Sequence, residues 1–439
     1  MKILFIAMSG VRVQDEELLK EGLTLPGFVE RSQVIATLPS LGLLTLAGCT
    51  PDNFEKQYLD VQEIKEVEKF PLDADLIVIS SFTAQIYEAY ELADFYRSKD
   101  KTVVMGGLHV TSLPEEALHH CNAVCIGEGE IIWPQLLKDF ESGSLKQVYQ
   151  ADGKFDLSNH VMPAFELLDP EKYNRITIQT SRGCPHSCEF CAGSILLTSK
   201  YKQKPAEYVL AEIDKVQELW PHPFIEFADD NSFVNKSYWK RLLPELTKRK
   251  VRWFTEADIA VGDDPEFLQL LFESGCKEVL IGLESPSRSG LNGLELRNNW
   301  KLKRTDSYIE NIKRIQTAGI RVNACFIVGL DEHDHSIFDE IYQFAKTTCV
   351  YDIQVTLPTP FPGTKLYERL LLEGRLLEDK AWQKCTLFDI LFQPKNFTVD
   401  ELRNRFRELV KKLYSEDFTS KRRKYFHKLL KKQTVPPPA

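Results

Sequence analysis

The sequence predicts an α/β protein built from two parallel-sheet units and closed by a helical, basic C-terminal end. Three observations predict it. Short apolar runs alternate with amphipathic stretches over the first 145 residues, a second alternation of the same kind begins near residue 175, and paired glycines follow several of the apolar runs. Alternation of this sort specifies strand–helix–strand units and hence parallel sheets. Glycines at strand carboxyl ends mark the edge where open α/β sheets bind ligands.

In the first unit, Lys2–Met8 is a short apolar strand and Gln57–Val61 a second. Asp75–Ser81 is a buried strand ending in two small hydroxyls, and Ala84–Arg97 has helical spacing through Ile86, Tyr90, Leu92, Ala93 and Tyr96. Thr102–Met105 runs into Gly106-Gly107, and Ala123–Ile126 into Gly127-Glu128-Gly129-Glu130. The unit spans residues 1–145 and reads as a doubly wound, Rossmann-like sheet. Residues 146–172 are polar, without clear periodicity, and read as a linker.

The second unit, residues 173–375, carries six candidate strands: Arg175–Gln179, Phe224–Ala228, Val251–Thr255, Glu278–Ile281, Val322–Val328 and Asp352–Leu357. Helical segments separate them. Six units make a partial (β/α)6 barrel, two short of the complete eight-unit form.

Residues 376–439 form a helical C-terminal region. Val399–Tyr414 has the pattern of an amphipathic helix. The basic stretch Lys421–Lys432 interleaves Arg422, Arg423, Lys424, Lys428, Lys431 and Lys432 with Tyr425, Phe426, Leu429 and Leu430. A solvated helix covering the barrel is the first expectation for it, and peripheral contact with a membrane surface the second. The last residues, Val435–Ala439, are expected to be disordered.

Composition narrows the class. Hydrophobic residues make up 43% and charged residues 27%, an ordinary globular balance. A formal net charge of −9 argues against a nucleic-acid partner. No apolar run reaches the roughly 20 residues that a membrane span needs. Arg12, Asp15, Glu16 and Glu17 follow the first apolar run where a signal peptide would carry a cleavage site. The expected location is cytoplasmic, with membrane association as the variant the basic tail suggests.

Of the ten cysteines, seven are scattered through mostly apolar segments, as expected of thiols in a reducing compartment. Cys184, Cys188 and Cys191 are clustered, after the strand at Arg175–Gln179, in Gly183-Cys184-Pro185-His186-Ser187-Cys188-Glu189-Phe190-Cys191. A structural zinc site wants a fourth ligand at matching spacing, and an ordinary ferredoxin cluster a fourth cysteine. Three thiolates on a cubane leave one iron open, and an open metal position is where a substrate binds.

The Cys-x-x-x-Cys-x-aromatic-Cys loop, with Phe190 as the aromatic, resembles the signature of radical S-adenosylmethionine (SAM) enzymes. The resemblance implies a [4Fe–4S] cluster on Cys184, Cys188 and Cys191 whose open iron is chelated by SAM, and cleavage of SAM to a 5′-deoxyadenosyl radical. It extends to Phe227–Phe233, Ile281-Gly282-Leu283-Glu284-Ser285, Phe326–Leu330 and the Pro-Gly-Thr-x-Leu-Tyr run ending at Tyr367. By that likeness Phe190, Asp229, Gly282, Glu284, Ser285 and Val328 are the expected SAM contacts. In one respect the chain departs from the family. Many relatives carry an arginine on the strand at Trp253–Ala257, where this chain has Thr255-Glu256-Ala257-Asp258.

The first unit resembles the cobalamin-binding domain fused in front of many radical SAM enzymes. The resemblance rests on Pro39–Leu44, Ser80–Thr83, Gly106–Thr111, Pro114–Leu118 and Gly127–Glu130. It implies cobalamin contacts at Leu41, Gly42, Ser80, Ser81, Thr83, Gly106, Gly107, His109, Gly127, Glu128 and Gly129. Paired glycines let a flat corrin approach the backbone. The cobalt-ligating pattern Asp-x-His-x-x-Gly is absent, so no protein imidazole is expected on cobalt. Asn298–Gly329 and Thr359–Leu377 resemble the branch that includes hopanoid C2-methylases.

Taken together, these likenesses imply a cobalamin-dependent radical SAM methyltransferase acting on an unactivated carbon of a lipid or natural-product substrate. Its electron donor would be of the flavodoxin or ferredoxin kind. Two other readings stay open: a radical cyclase, rearrangement or carbon–carbon coupling enzyme, and a cobalamin or redox sensor with a regulatory cluster. No catalytic side chain is assigned from the sequence.

Overall fold

The computed structural model describes residues 1–21, 38–193 and 200–433. The first unit is a six-stranded, wholly parallel sheet of β1 (Lys2–Met8), β2 (Glu55–Val61), β3 (Leu76–Ser81), β4 (Thr102–Gly106), β5 (Ala123–Ile126) and β6 (Val148–Gln150), in the order β2-β1-β3-β4-β5-β6. Side chains alternate between faces along β1: Leu4, Ile6 and Met8 pack with the helix Ile86–Ser98, and Ile3, Phe5 and Ala7 with helices Leu41–Cys49 and Gly129–Glu141. Burial on both faces explains why these strands are continuous apolar runs. Strand order reverses between β1 and β3, the switch point of doubly wound sheets. β6 lies in the segment expected to be a linker; its three residues are too short for a pattern to mark them.

After β7 (Ile176–Ile178), the short strands β8 (Ser181–Arg182) and β9 (Lys202–Gln203) pair antiparallel beside the barrel. The second unit is built by β7, β10 (Phe224–Phe227), β11 (Arg252–Ala257), β12 (Cys276–Glu284), β13 (Arg321–Ile327) and β14 (Asp352–Thr356). These six are parallel and ordered β14-β13-β12-β11-β10-β7, so the six expected strands all form and the sheet is a partial barrel. Its outward side chains, among them Ile225, Phe227, Trp253, Val279, Ile281, Val322, Phe326 and Ile353, pack under the surrounding helices. Inward positions are polar: register sets Glu226 beside Thr177 and Phe254, and Glu278 beside Phe254 and Arg321. A polar lumen differs from the packed interior of a complete barrel and leaves room for a ligand.

The C-terminal region divides. Ala381, Trp382, Cys385 and Leu391 return to the first sheet, where Trp382 Nε1 donates to Glu116 Oε1 at 3.2 Å. The helix Val399–Tyr414 starts on a capping box, Thr398 with Glu401, and packs Leu402, Phe406, Leu409 and Leu413 on the barrel. In the following helix, Glu416–Gln433, the Arg422 guanidinium is fully buried and donates to the carbonyls of Val350, Tyr351 and Leu413. Phe426 is buried against Tyr351. The basic stretch is therefore a helix covering the barrel, and Phe426 is not free for membrane insertion. Among the described residues no helix is long and apolar enough to cross a membrane. Val435–Ala439 lie outside the described residues.

Candidate functional site

Two regions meet where the carboxyl ends of both sheets face each other. The first is the cysteine loop. It leaves β8 through Gly183, at φ +86°, whose N–H donates to Asp230 Oδ2 at 2.8 Å. Cys188 bridges to Glu295 as an isolated antiparallel pair. Glu295 is buried and accepts backbone N–H groups from Ser187, Arg297, Asn298 and Trp300. Burial alone would push its carboxyl up, but these four donors hold it below the ordinary range. Glu189 is gripped bidentately by Arg369, at 2.9 and 3.1 Å, and its carbonyl accepts from Leu366 N. His186 stacks on Trp300 with centroids 5.2 Å apart. The loop is thus ordered from outside itself.

Those thiols fit an iron–sulfur cluster. Burial pushes the Cys184 thiol up to about 11, and the charge of Cys191 adds to it. Cys188 is pushed to about 12 chiefly by burial, opposed by nearby Lys301 and reinforced by Glu284, Cys191 and Cys184. The three thiols are thus within electrostatic reach of one another. Among the described residues no three His, Cys, Asp or Glu side chains converge as they would on a single metal ion. Ligands of a cubane hold different irons and need not share a point.

The expected SAM contacts separate in space. Gly282 and Glu284 sit at a bulge in β12, with Glu284 at φ +64°. Lys301 donates to the Gly282 carbonyl and to Glu284 Oε1, and these groups lie toward Cys188. Phe190 is half-buried and packs with Leu366, Leu370 and Phe392. The remaining three correct the expectation. Asp229 is spent on structure: its carboxylate accepts from Thr180 N and Oγ1, Ser181 N and Ser232 Oγ. Val328 is fully buried in the core between barrel and helices, so its side chain cannot reach a ligand in the lumen. Ser285 is buried, its hydroxyl 3.1 Å from His333 Nε2.

Glu256, on the strand where an arginine was the family expectation, alternates to the same face of β11 as Phe254, and its side chain is accessible to solvent. Among the described residues it makes no hydrogen bond or ion pair. Burial, then the charges of Glu226, Asp230, Glu284 and Asp229, push its carboxyl up to about 7.

The second region is a cleft of about 320 Å³ between the two units. Leu41, Gly42, Ser80, Gly106, Gly107, Gly127, Glu128 and Gly129, eight of the expected cobalamin contacts, line it together. Gly107 and Gly127 stand at φ +105° and +90°, conformations that favour glycine. Gly42 faces open space, with nothing within 4 Å of where a Cβ would stand. The volume is at the low end for ligand cavities. Ser81 and Thr83 are not on its wall. Nor is His109, which is 1% exposed, 3.3 Å from Glu116 and edge-on to Trp382. Packing, not ligation, accounts for that histidine.

Several lining residues escape sequence reasoning. Phe155, Leu157, Asn159, His160 and Val161 come from the expected linker, and Gln179, Arg182, Lys204 and Ala228 from the barrel. Only the docking of the units brings them to the cleft. Glu295 and Lys301 carry no motif either.

Comparison with known proteins agrees with this geometry. Residues 178–345 match the radical SAM superfamily, residues 32–137 the B12 binding domain, and residues 364–438 a domain of unknown function (DUF4070). An uncharacterized methyltransferase of Synechocystis is 31% identical over 78% of the chain, which spans 64% of that protein's length. The bacteriochlorophyllide d C-12(1)-methyltransferase of Chlorobaculum tepidum is 28% identical over 87% of the chain and 84% of its own length. The hopanoid C-2 methylase of Rhodopseudomonas palustris is 26% identical over 79% of the chain and 67% of its own. Anaerobic magnesium-protoporphyrin IX monomethyl ester cyclases are also similar, at 24% identity. A methyltransferase from Kitasatospora setae, solved with cobalamin and a [4Fe–4S] cluster bound, shares the fold with a TM-score of 0.68 at 14% identity, over 94% of this chain and 88% of that one.

Proposed function

The chain is a radical SAM protein with an N-terminal B12-binding domain, and we propose that it is a methyltransferase that uses both cofactors on an unactivated carbon. One observation carries the reading: the cleft at the ends of β3, β4 and β5 opens directly against the barrel that bears the cysteine loop, with Gln179, Arg182 and Ala228 on its far wall.

Cys184, Cys188 and Cys191 would hold the cluster, and the bulged end of β12 with Lys301 would face SAM. The glycine turns after β4 and β5 would admit the corrinoid. When bound, the cluster with SAM supplies a hydrogen-abstracting radical and the corrinoid supplies the methyl group. The chain's own contribution is placement and shielding. Glu295, Arg369 and Trp300 order the loop, Lys301 neutralises Glu284, and residues 155–161 cover the cleft. Glu256 is a lumen carboxylate with no hydrogen bond or ion pair among the described residues, suited to accept a hydrogen bond from a polar substrate group.

A lipid or other natural product fits the hopanoid methylase likeness, and a tetrapyrrole the bacteriochlorophyllide one. A flavodoxin- or ferredoxin-type donor completes the set. The cyclase relatives favour one second reading, radical chemistry without methyl transfer.

The test is anaerobic reconstitution with iron, sulfide and hydroxocobalamin, then incubation with SAM and reductant. Bound corrin together with 5′-deoxyadenosine and S-adenosylhomocysteine is the expected result. 5′-Deoxyadenosine without S-adenosylhomocysteine selects the second reading. A cluster that survives replacement of Cys184, Cys188 and Cys191 by alanine together sinks both.

A further inference from the structure

Arg182 stands between the two cofactor regions. It ends β8 and precedes Gly183 and Cys184, so its backbone leads directly into the cysteine loop. Its side chain points the other way, into the first unit. Nη1 donates to Glu128 Oε1 at 2.6 Å and Nη2 to Glu130 Oε1 at 2.8 Å. Both carboxylates belong to the glycine turn after β5, and their side chains are only 4% and 8% exposed, against 18% for the arginine. Gln179 Oε1 accepts from the same guanidinium. Lys202, opposite Arg182 in the β8–β9 ladder, also reaches Glu128.

The two turns joined this way are both tight. Gly127, at φ +90°, and Glu128 lead into the helix Gly129–Glu141. Gly183, at φ +86°, is tied to Asp230. A charge-assisted fork on two nearly buried carboxylates is strongly directional, so it ties the two turns to each other. Glu128, Glu130 and Arg182 all line the cleft. A ligand settling on Gly127 and Gly129 must therefore bear on the anchor of the cysteine loop.

We propose that Arg182 is a positioning residue that couples corrinoid binding in the cleft to the state of the Cys184 loop. The inference rests on the proposed function and adds to it an energetic link between the two cofactor sites. Such a link is reciprocal: a loaded cluster changes corrinoid affinity by the factor with which corrinoid changes cluster binding.

The experiment titrates hydroxocobalamin, by its absorbance and anaerobically, into the full chain with and without a reconstituted cluster. In the parent protein the two dissociation constants should differ by about fivefold or more. In Arg182→Met the ratio should fall to about one while iron content is retained. Glu130→Gln, which removes one arm and keeps its shape, should give an intermediate ratio and serves if the arginine variant does not fold. As an independent readout, bound corrinoid should shift the reduced cluster's electron paramagnetic resonance in the parent protein and not in Arg182→Met. A ratio that is unchanged in both variants, or near one in the parent, overturns the coupling and leaves the proposed function standing. A reconstituted parent protein that takes up no hydroxocobalamin overturns both.

Discussion

Lys301 Nζ lies 2.7 Å from Glu284 Oε1, and the two groups come from opposite sides of the loop that covers the cysteine motif. Glu284 ends β12 and Lys301 sits on the short helix Trp300–Arg304. Their side chains are 9% and 16% exposed. Burial disfavours the ammonium, but the Glu284 charge outweighs it and holds Lys301 protonated. Lys301→Met would leave a nearly buried carboxylate without its partner, at a cost of about 3–5 kcal/mol. Urea denaturation of the cluster-free protein measures it. A loss below about 1 kcal/mol would mean that water already solvates Glu284.

Gly42 offers a way to close the cleft without disturbing the fold. It is the second residue of the helix Leu41–Cys49, and a Cβ there would meet nothing within 4 Å. Gly42→Trp should keep the parent's melting temperature within a few degrees and weaken hydroxocobalamin binding by about tenfold or more, since a bulky ring occupies the space a ligand needs. Unaltered affinity would move the corrinoid elsewhere.

His109 provides the matching control. Because it is buried with Glu116 and Trp382, His109→Gln should lower the melting temperature yet leave the electron paramagnetic resonance of bound cob(II)alamin unchanged. Loss of a nitrogen hyperfine pattern in the variant would show that the imidazole does reach cobalt.

Two buried groups give pH dependences of opposite sign. Burial, then Asp352, pushes Glu278 up to about 8. Between its ordinary value of about 4.5 and 8 the folded chain keeps a proton that the unfolded chain has released, so this group makes the fold less stable as pH rises. Burial lowers His333 to about 4. Between 6.5 and 4 the unfolded chain takes up a proton that the folded one refuses, so stability falls as pH falls. Relative to the parent protein, Glu278→Gln should therefore gain stability from about pH 5 to 8, and His333→Gln should gain it from about pH 6.5 to 4. Parallel denaturant curves across the range decide each case. Flat differences would mean that these groups titrate normally.

Much of the architecture was legible because local chemistry and global fold agree. β1 and β5 have the predicted ends, since strands buried between helices must be short apolar runs, and the six barrel strands, apolar on their outward faces, appear within a few residues of expectation. Cys184, Cys188 and Cys191 stood out because all three lie on one loop, close in sequence. Gly107 and Gly127 were legible because their positive-φ turns favour glycine. β6 and the cover formed by residues 155–161 were not, because three strand residues and an irregular segment have no period.

The sequence by itself determined which residues build each unit and which three thiols share one loop, because these depend on neighbours within a few positions. Tertiary structure alone decided that Arg182 meets Glu128 and Glu130, that Lys301 meets Glu284, and that Glu295 holds the cysteine loop. It also withdrew Asp229, Val328 and His109 from the ligand side by giving each a structural partner. Those outcomes depend on residues tens of positions apart that come into reach only when two sheets dock end to end.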